Sequence, residues 1–225
     1  MGPGALDDTR FVGYRRKLIE DIRAHGIEDL ETLQVFDRVP RHLFLPEGVW
    51  PRAYEDAAIP IGYSQTASQP SLQAYYLTLL APDPHEKVLE IGTGSGYLTA
   101  LLCLMADRVY SIERVRELSH RARKALDGFG IKNAALLVGD GTIGWRKYEP
   151  FDVIVVSASS PSIPRALVDQ LADGGRMLIP VGSRESQDLV LVRREGSAVT
   201  EEIVRGACTF VPLLGRFAWK SEAGA

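Results

Sequence analysis

Three glycines, Gly92, Gly94 and Gly96, alternate with Thr93 and Ser95 at the end of the apolar run Val88-Leu89-Glu90-Ile91. A glycine in such a turn takes a positive φ without strain and carries no Cβ, so the backbone bends sharply and a ligand can lie against it. The residues that follow, Tyr97 to Ala106, have the composition of a buried helix. A helix N-terminus that meets the end of a strand presents free N–H groups and a positive dipole end, which is the geometry of a nucleotide-type cofactor site. The Gly-x-Gly-x-Gly spacing departs from the dinucleotide fingerprint, whose third glycine comes one residue later. Glycines in strand-to-helix turns also serve packing alone, and the spacing by itself leaves that reading open.

Two carboxylates fall where such a cofactor would need them. Glu113 closes the apolar run Val109 to Ile112, about 20 residues after the glycine turn, the separation at which an acid accepts hydrogen bonds from ribose hydroxyls. Its charge would repel a 2′-phosphorylated cofactor; a surface ion pair with Arg114 or Arg116 is the alternative. Asp140, in Gly139-Asp140-Gly141, follows a third apolar run, and ligands of open parallel sheets bind beyond the carboxyl ends of the strands. An aspartate there can accept from an exocyclic amine, although Asp-Gly is also a common turn pair. Upstream, the polar stretch Ile61 to Pro70 places Ser68 just ahead of a helix entered through proline, where a serine commonly serves as an N-cap. His25, His42, His85 and His120 form no constellation, and Cys103 and Cys208 have no further ligands at zinc-like spacing, so neither a metal site nor a disulfide framework is expected.

The elements that must position these residues can be read from periodicity. Helical spacing covers Tyr14 to Ala24 and Leu30 to Arg38, and Val39-Pro40 breaks the second helix. A polar loop over Ile61 to Pro70 leads into a helix from Ser71 to Leu80. From Val88 onward strand and helix alternate: strands at Val88 to Ile91, Val109 to Ile112, Ala135 to Val138, Phe151 to Val156 and Arg176 to Ile179; helices at Tyr97 to Ala106, Arg114 to Leu126 and Pro164 to Leu171. Alternation of this kind predicts an α/β fold, a mostly parallel sheet with helices on both faces. Leu189 to Val192 and Val199 to Val204 read as late antiparallel strands. Residues 1–60 are expected to form a helical N-terminal appendage, not independent, packed over a main domain of residues 61–225.

Bulk composition narrows the partners. The chain has 225 residues, 45% hydrophobic and 24% charged, with a net charge of −3, the balance of an ordinary globular protein with no electrostatic call for nucleic acid or an anionic membrane. Its longest near-apolar run, Leu98 to Ala106, falls short of the roughly 18 residues of a membrane span. The N-terminus has neither a basic start nor an apolar core, so no secretory signal is read and a cytoplasmic location is expected.

The glycine turn preceded by Glu90 resembles motif I of the Rossmann-like class I S-adenosylmethionine-dependent methyltransferases. Further segments make the resemblance specific: Tyr-Ser-Ile-Glu ending at Glu113, Gly-Asp-Gly around Asp140, Pro150-Phe151-Asp152-Val153-Ile154-Val155-Val156-Ser157-Ala158, Gly174-Gly175-Arg176-Met177-Leu178-Ile179-Pro180-Val181-Gly182 and Phe210-Val211-Pro212-Leu213. Together with Val39-Pro40-Arg41, Ala53-Tyr54-Glu55-Asp56, Pro60-Ile61-Gly62 and Gln65-Thr66-Ala67-Ser68-Gln69-Pro70, they are similar to the protein-L-isoaspartate (D-aspartate) O-methyltransferases, over about Leu18 to Trp219. The resemblance implies methyl transfer from S-adenosylmethionine, leaving S-adenosylhomocysteine, to the carboxylate of L-isoaspartyl or D-aspartyl residues in damaged proteins. It implies Ser68 as the active-site residue. It assigns the cofactor to Gln65, Thr66, Glu90, Gly92, Thr93, Gly94, Gly96, Glu113, Asp140 and Gly141. No metal, nucleic acid or membrane is called for, and a monomer is expected.

A carboxylate with a pKa near 4 is ionised at neutral pH and attacks a sulfonium methyl without a general base, so the absence of a histidine constellation fits this chemistry. The chain departs from the usual family pattern at Ser64 and Ala67, where Gly and Ile are common, and carries Gln73 where some members have histidine. Ser64 and Ala67 motivate one alternative, a methyltransferase of the same fold for a dedicated peptide or small-molecule carboxylate; an alternative from a different class is a non-catalytic module that recognises the cofactor or isoaspartyl peptides.

Overall fold

A computed structural model describes residues 9–220. Helix α1, Val12–Ala24, turns Leu18 and Ile22 inward. Helix α2, Leu30–Arg38, is capped by Asp29, whose carboxylate accepts from the Thr32 N–H at 2.8 Å, and it ends where Val39 turns extended ahead of Pro40. Two 3₁₀ turns, Arg41–Phe44 and Glu47–Arg52, carry the chain to a two-stranded antiparallel hairpin of β1, Ile59–Gly62, and β2, Gln65–Ala67. The stretch expected as a polar loop is therefore this hairpin in its first part. Its turn residues Tyr63 and Ser64 both have φ of 55°, a two-residue connection that matches strand twist but is one that non-glycine residues adopt at a cost. Helix α3, Pro70–Leu80, follows.

The main sheet comprises β3 (Lys87–Ile91), β4 (Arg108–Glu113), β5 (Ala134–Val138), β6 (Phe151–Val156), β7 (Leu171–Gly182), β8 (Gln187–Glu195) and β9 (Ala198–Cys208), in the order β5-β4-β3-β6-β7-β8-β9. The pairs from β5 through β7 are parallel; β7–β8 and β8–β9 are antiparallel, as the late strands predict. The chain runs outward from β3 to β4 and β5, then returns to the other side of β3 at β6, so the order reverses at the β3 edge. Crevices open at such reversals.

Helices α4 (Tyr97–Cys103) and α5 (Arg116–Phe129) join α1 to α3 on one face, while the single-turn α6 (Arg165–Val168) covers the other. Alternation along β3 divides the two cores: Val88 packs with Leu18, Phe36, Leu101 and Val109, whereas Leu89 and Ile91 pack with Tyr110, Ile154 and Met177. The side chains of α1 and α2 share the first of these cores with the sheet.

Two boundaries move for identifiable reasons. Helix α5 starts at Arg116 because Glu113 holds the Val115 N–H at 2.9 Å with Val115 extended. The helix expected over Pro164 to Leu171 shrinks to one turn, since Leu171 already pairs with Phe151 and the Phe151 N–H bonds the Gln170 carbonyl at 2.8 Å.

Candidate active site

The glycine loop closes over the carboxyl end of β3. Gly92 has φ of 97°, and a Cβ there would meet Ser157 at 3.4 Å. Gly96, φ 84°, lies so close to Ala122 on α5 that an added Cβ would be 3.0 Å from its Cβ; it is buried and faces helix packing rather than open space. The Gly94 N–H donates to Glu113 Oε2 at 2.9 Å, and the Val115 N–H donates to Oε1 at 2.9 Å. A carboxylate offers about four lone-pair positions. Glu113 lines the cleft with acceptor capacity to spare, and among the described residues it forms no ion pair with Arg114 or Arg116.

Glu90 sits beneath the loop and is fully buried. Its Oε2 accepts from Thr99 Oγ1 at 2.5 Å and Ser111 Oγ at 2.6 Å, and Ser111 in turn meets Thr93 Oγ1 at 2.5 Å. The carboxylate thus reaches the loop through Ser111 rather than by lining the cleft. Burial pushes its pKa up to about 8, with the Thr99 and Ser111 hydroxyls opposing the shift, and Oε1 has no partner.

Asp140 is likewise engaged within the protein. Oδ1 accepts from the Thr142 N–H at 2.9 Å and its hydroxyl at 2.7 Å, and Oδ2 accepts from the Arg216 N–H at 2.8 Å. It borders a side depression with Arg114, Leu214 and Arg216, while its neighbour Gly141 reaches the main cleft.

Ser68 is positioned from the N-terminal side. Arg41, fully buried, donates to the carbonyls of Ala53 (3.0 Å), Glu55 (3.1 Å), Ala57 (3.3 Å) and Ser68 (3.0 Å). Burial lowers its pKa to about 10, so it remains charged at neutral pH. The N-cap reading of Ser68 does not hold: Gln69 occupies the cap position, and Asp56 supplies the acceptors, taking the Ser71 N–H at 2.8 Å and Gln69 Nε2 at 2.9 Å. Among the described residues the Ser68 hydroxyl forms no hydrogen bond.

Two cavities meet at this serine. The first, about 790 Å³ including its open mouth, is lined by Gln65, Thr66, Ala67, Ser68, Gly92, Thr93, Gly94, Glu113 and Gly141, with Leu213 and Leu214 at the far wall. The second, about 830 Å³ counted the same way, shares Thr66, Ser68, Ser157 and Val211 with the first and runs toward Arg205 and Phe210. Of the residues assigned from sequence to the cofactor, Glu90, Gly96 and Asp140 stand behind or beside the first cleft, and the others line it. Sequence reading passed over Ser157 and Ala158, although the carboxyl end of β6 at a strand-order reversal marks them. Gln73 lines the same cleft, 5% exposed, with its Oε1 unpartnered.

The family model for protein-L-isoaspartate (D-aspartate) O-methyltransferase matches residues 14–218. The chain belongs to this family. Curated members include protein-L-isoaspartate O-methyltransferase 2 of Geotalea uraniireducens, 48% identical over 92% of this chain and 96% of its own length. The protein-L-isoaspartate O-methyltransferase of Methanoculleus marisnigri is 48% identical over 92% and 94%. A solved protein-L-isoaspartate O-methyltransferase superposes with a TM-score of 0.81 at 27% identity, covering 91% of this chain and 67% of its own. A putative family member from Plasmodium falciparum, solved with S-adenosyl-L-homocysteine, shares the fold with a TM-score of 0.80 at 24% identity, over 89% and 98%. The Rossmann-like methyltransferase architecture is thus that of the family. Among the described residues, no group of three or more His, Cys, Asp or Glu side chains is placed to hold a metal ion, and no helix is long and apolar enough to cross a membrane.

Proposed function

We propose that this protein transfers a methyl group from S-adenosylmethionine to the carboxylate of L-isoaspartyl, or D-aspartyl, residues in damaged proteins and so starts their repair. The observation that carries the reading is the meeting of two cavities at one unengaged hydroxyl, Ser68, in a chain of this family. The first cleft fits the cofactor. Glu113 retains acceptor positions for ribose hydroxyls, and the buried, unpartnered Gln73 Oε1 suits an ammonium group. Gly92, Thr93, Gly94, Gln65, Thr66 and Gly141 would hold it by backbone and side-chain contact. Glu90, Gly96 and Asp140 would act indirectly, by bracing the loop, by admitting α5 and by fixing the approach to Gly141.

When bound, S-adenosylmethionine supplies an electrophilic methyl on a sulfonium centre. Ser68 donates a hydrogen bond to one oxygen of the acceptor carboxylate and leaves the other free to attack. Arg41, through the Ser68 carbonyl, fixes where that hydroxyl stands. No proton needs removing from an ionised carboxylate, so orientation is the main contribution asked of the protein, and orientation can supply about 7 kcal/mol or more. The resulting ester closes to a succinimide without further help, and hydrolysis returns some normal aspartate.

The deciding measurement is transfer of labelled methyl from S-adenosylmethionine to paired peptides that differ only in aspartate versus isoaspartate. A base-labile ester on the isoaspartyl peptide alone is expected; its absence would overturn the reading. We further propose a monomeric, cytoplasmic enzyme without nucleic-acid or membrane partners; its two cysteines, Cys103 and Cys208, are free and buried, as suits a reducing compartment. Residues 1–60 are proposed as a helical appendage that is not an independent unit, with 61–225 as the methyltransferase domain; the side chains of α1 and α2 share one core with the sheet.

A further inference from the structure

The second cavity has one charged residue in its lining, Arg205. Strand β9 delivers it through an irregular segment: the register with β8 shifts on both sides of the Leu189–Arg205 pair, and Ala207 has φ of 51°. Bulges next to functional sites re-aim side chains, and a non-glycine residue at positive φ marks backbone held against its preference. The guanidinium lies 5.9 Å from the centre of the Tyr75 ring, and the Tyr75 hydroxyl donates to the neighbouring Val204 carbonyl at 2.8 Å, so the platform beneath the arginine is fixed. Among the described residues Arg205 forms no ion pair. Asp188 approaches the bulge at Gly206 instead, where an added Cβ would lie 3.4 Å from its Oδ1. In a chain of net charge −3, an unneutralised cation faces the cavity that shares Ser68 and Thr66 with the cofactor cleft.

We propose that Arg205 is a specificity-determining residue that pairs with an acidic side chain flanking the isoaspartyl residue of the substrate. The inference rests on the proposed function. The acceptor carboxylate itself must reach the first cleft beyond Ser68, and Arg205 does not line that cleft, so a second carboxylate of the peptide is its partner. A guanidinium fork matches a carboxylate by paired hydrogen bonds while resting on an aromatic face.

The test uses the full chain with S-adenosylhomocysteine and isoaspartyl peptides that carry Glu, Gln or Lys at the preceding or following position. Dissociation constants are read by calorimetry and kcat/KM by methyl transfer. The Glu peptide should bind about two- to fivefold more tightly than the Gln peptide, the worth of an exposed ion pair. About 1 M salt, with its short screening length, should erase the difference. Arg205→Glu should reverse the order of the Glu and Lys peptides, and Arg205→Gln should level it, with S-adenosylhomocysteine affinity showing that both variants are folded. No ranking in the wild type, or the same ranking in Arg205→Glu, overturns the proposal. Absence of transfer to every isoaspartyl peptide would overturn the function instead, while the binding series still decides the role of Arg205.

Discussion

Ser68 and Glu90 show what single residues contribute. With Asp56 holding the start of α3, the Ser68 hydroxyl has no structural duty, so Ser68→Ala should leave the melting temperature and cofactor affinity unchanged. Loss of a hydrogen bond to a charged group, worth roughly 1.5–3 kcal/mol, should lower kcat about tenfold or more in the isoaspartyl methylation assay. Glu90 carries a different expectation. Its carboxyl keeps a proton up to about pH 8 when folded and loses it near 4.5 when unfolded, so between those values the folded state binds more protons. Stability from this group is therefore full at low pH and is lost as pH rises toward 8. Glu90→Gln should flatten the decline of melting temperature between pH 5 and 8.5; an unchanged slope would assign the pH dependence elsewhere. The sequence placed Glu90 at the right end of the right strand, yet whether a residue there faces the ligand or the underside of the loop depends on strand alternation against α4, which only the packed neighbours Thr99 and Ser111 reveal. Asp140 was obscured in the same way, because its partner Arg216 is distant in sequence.

Among the elements, the β1–β2 hairpin carries Gln65, Thr66 and Ala67 to the cleft and leads directly to Ser68. Its turn puts Tyr63 and Ser64 at φ of 55°, and Arg121 braces it by donating to the Ile61 carbonyl at 3.2 Å. Ser64→Gly should relieve left-handed strain, offset in part by the greater entropy of glycine in the unfolded chain, for a net gain of up to about 1 kcal/mol by urea denaturation. The hairpin escaped the sequence pattern because its strands are only four and three residues long, too short for alternation to register. Long periodic elements were legible: α2 and β6 lie where the spacing puts them. At Pro164 the helix is shorter than its spacing predicts, because helical spacing in a short apolar run is overridden when its end pairs into a sheet, as Leu171 does with Phe151.

For the molecule as a whole, the question is whether the N-terminal segment and the sheet unfold together. Leu18, Phe36 and Val88 share one core, and Arg41 ties four carbonyls between Ala53 and Ser68. Equilibrium unfolding followed by circular dichroism and by fluorescence of Trp50 in variants lacking the other two tryptophans should give coincident transitions. An earlier loss of the Trp50 signal would instead mark residues 1–60 as a separable unit. Arg41→Ala should cost several kcal/mol, since carbonyls left without donors are each worth about 1–3 kcal/mol when buried. The clamp on Asp140 also bears on how this chain ages. Among aspartates, those followed by glycine are the most prone to cyclise, because the glycine nitrogen reaches the side-chain carbon unhindered. Three donors, from Thr142 and Arg216, hold the Asp140 carboxylate in place and restrict its swing toward the backbone. Asp140, at the edge of the cleft, is thereby held back from the spontaneous lesion that the protein is proposed to mend in others.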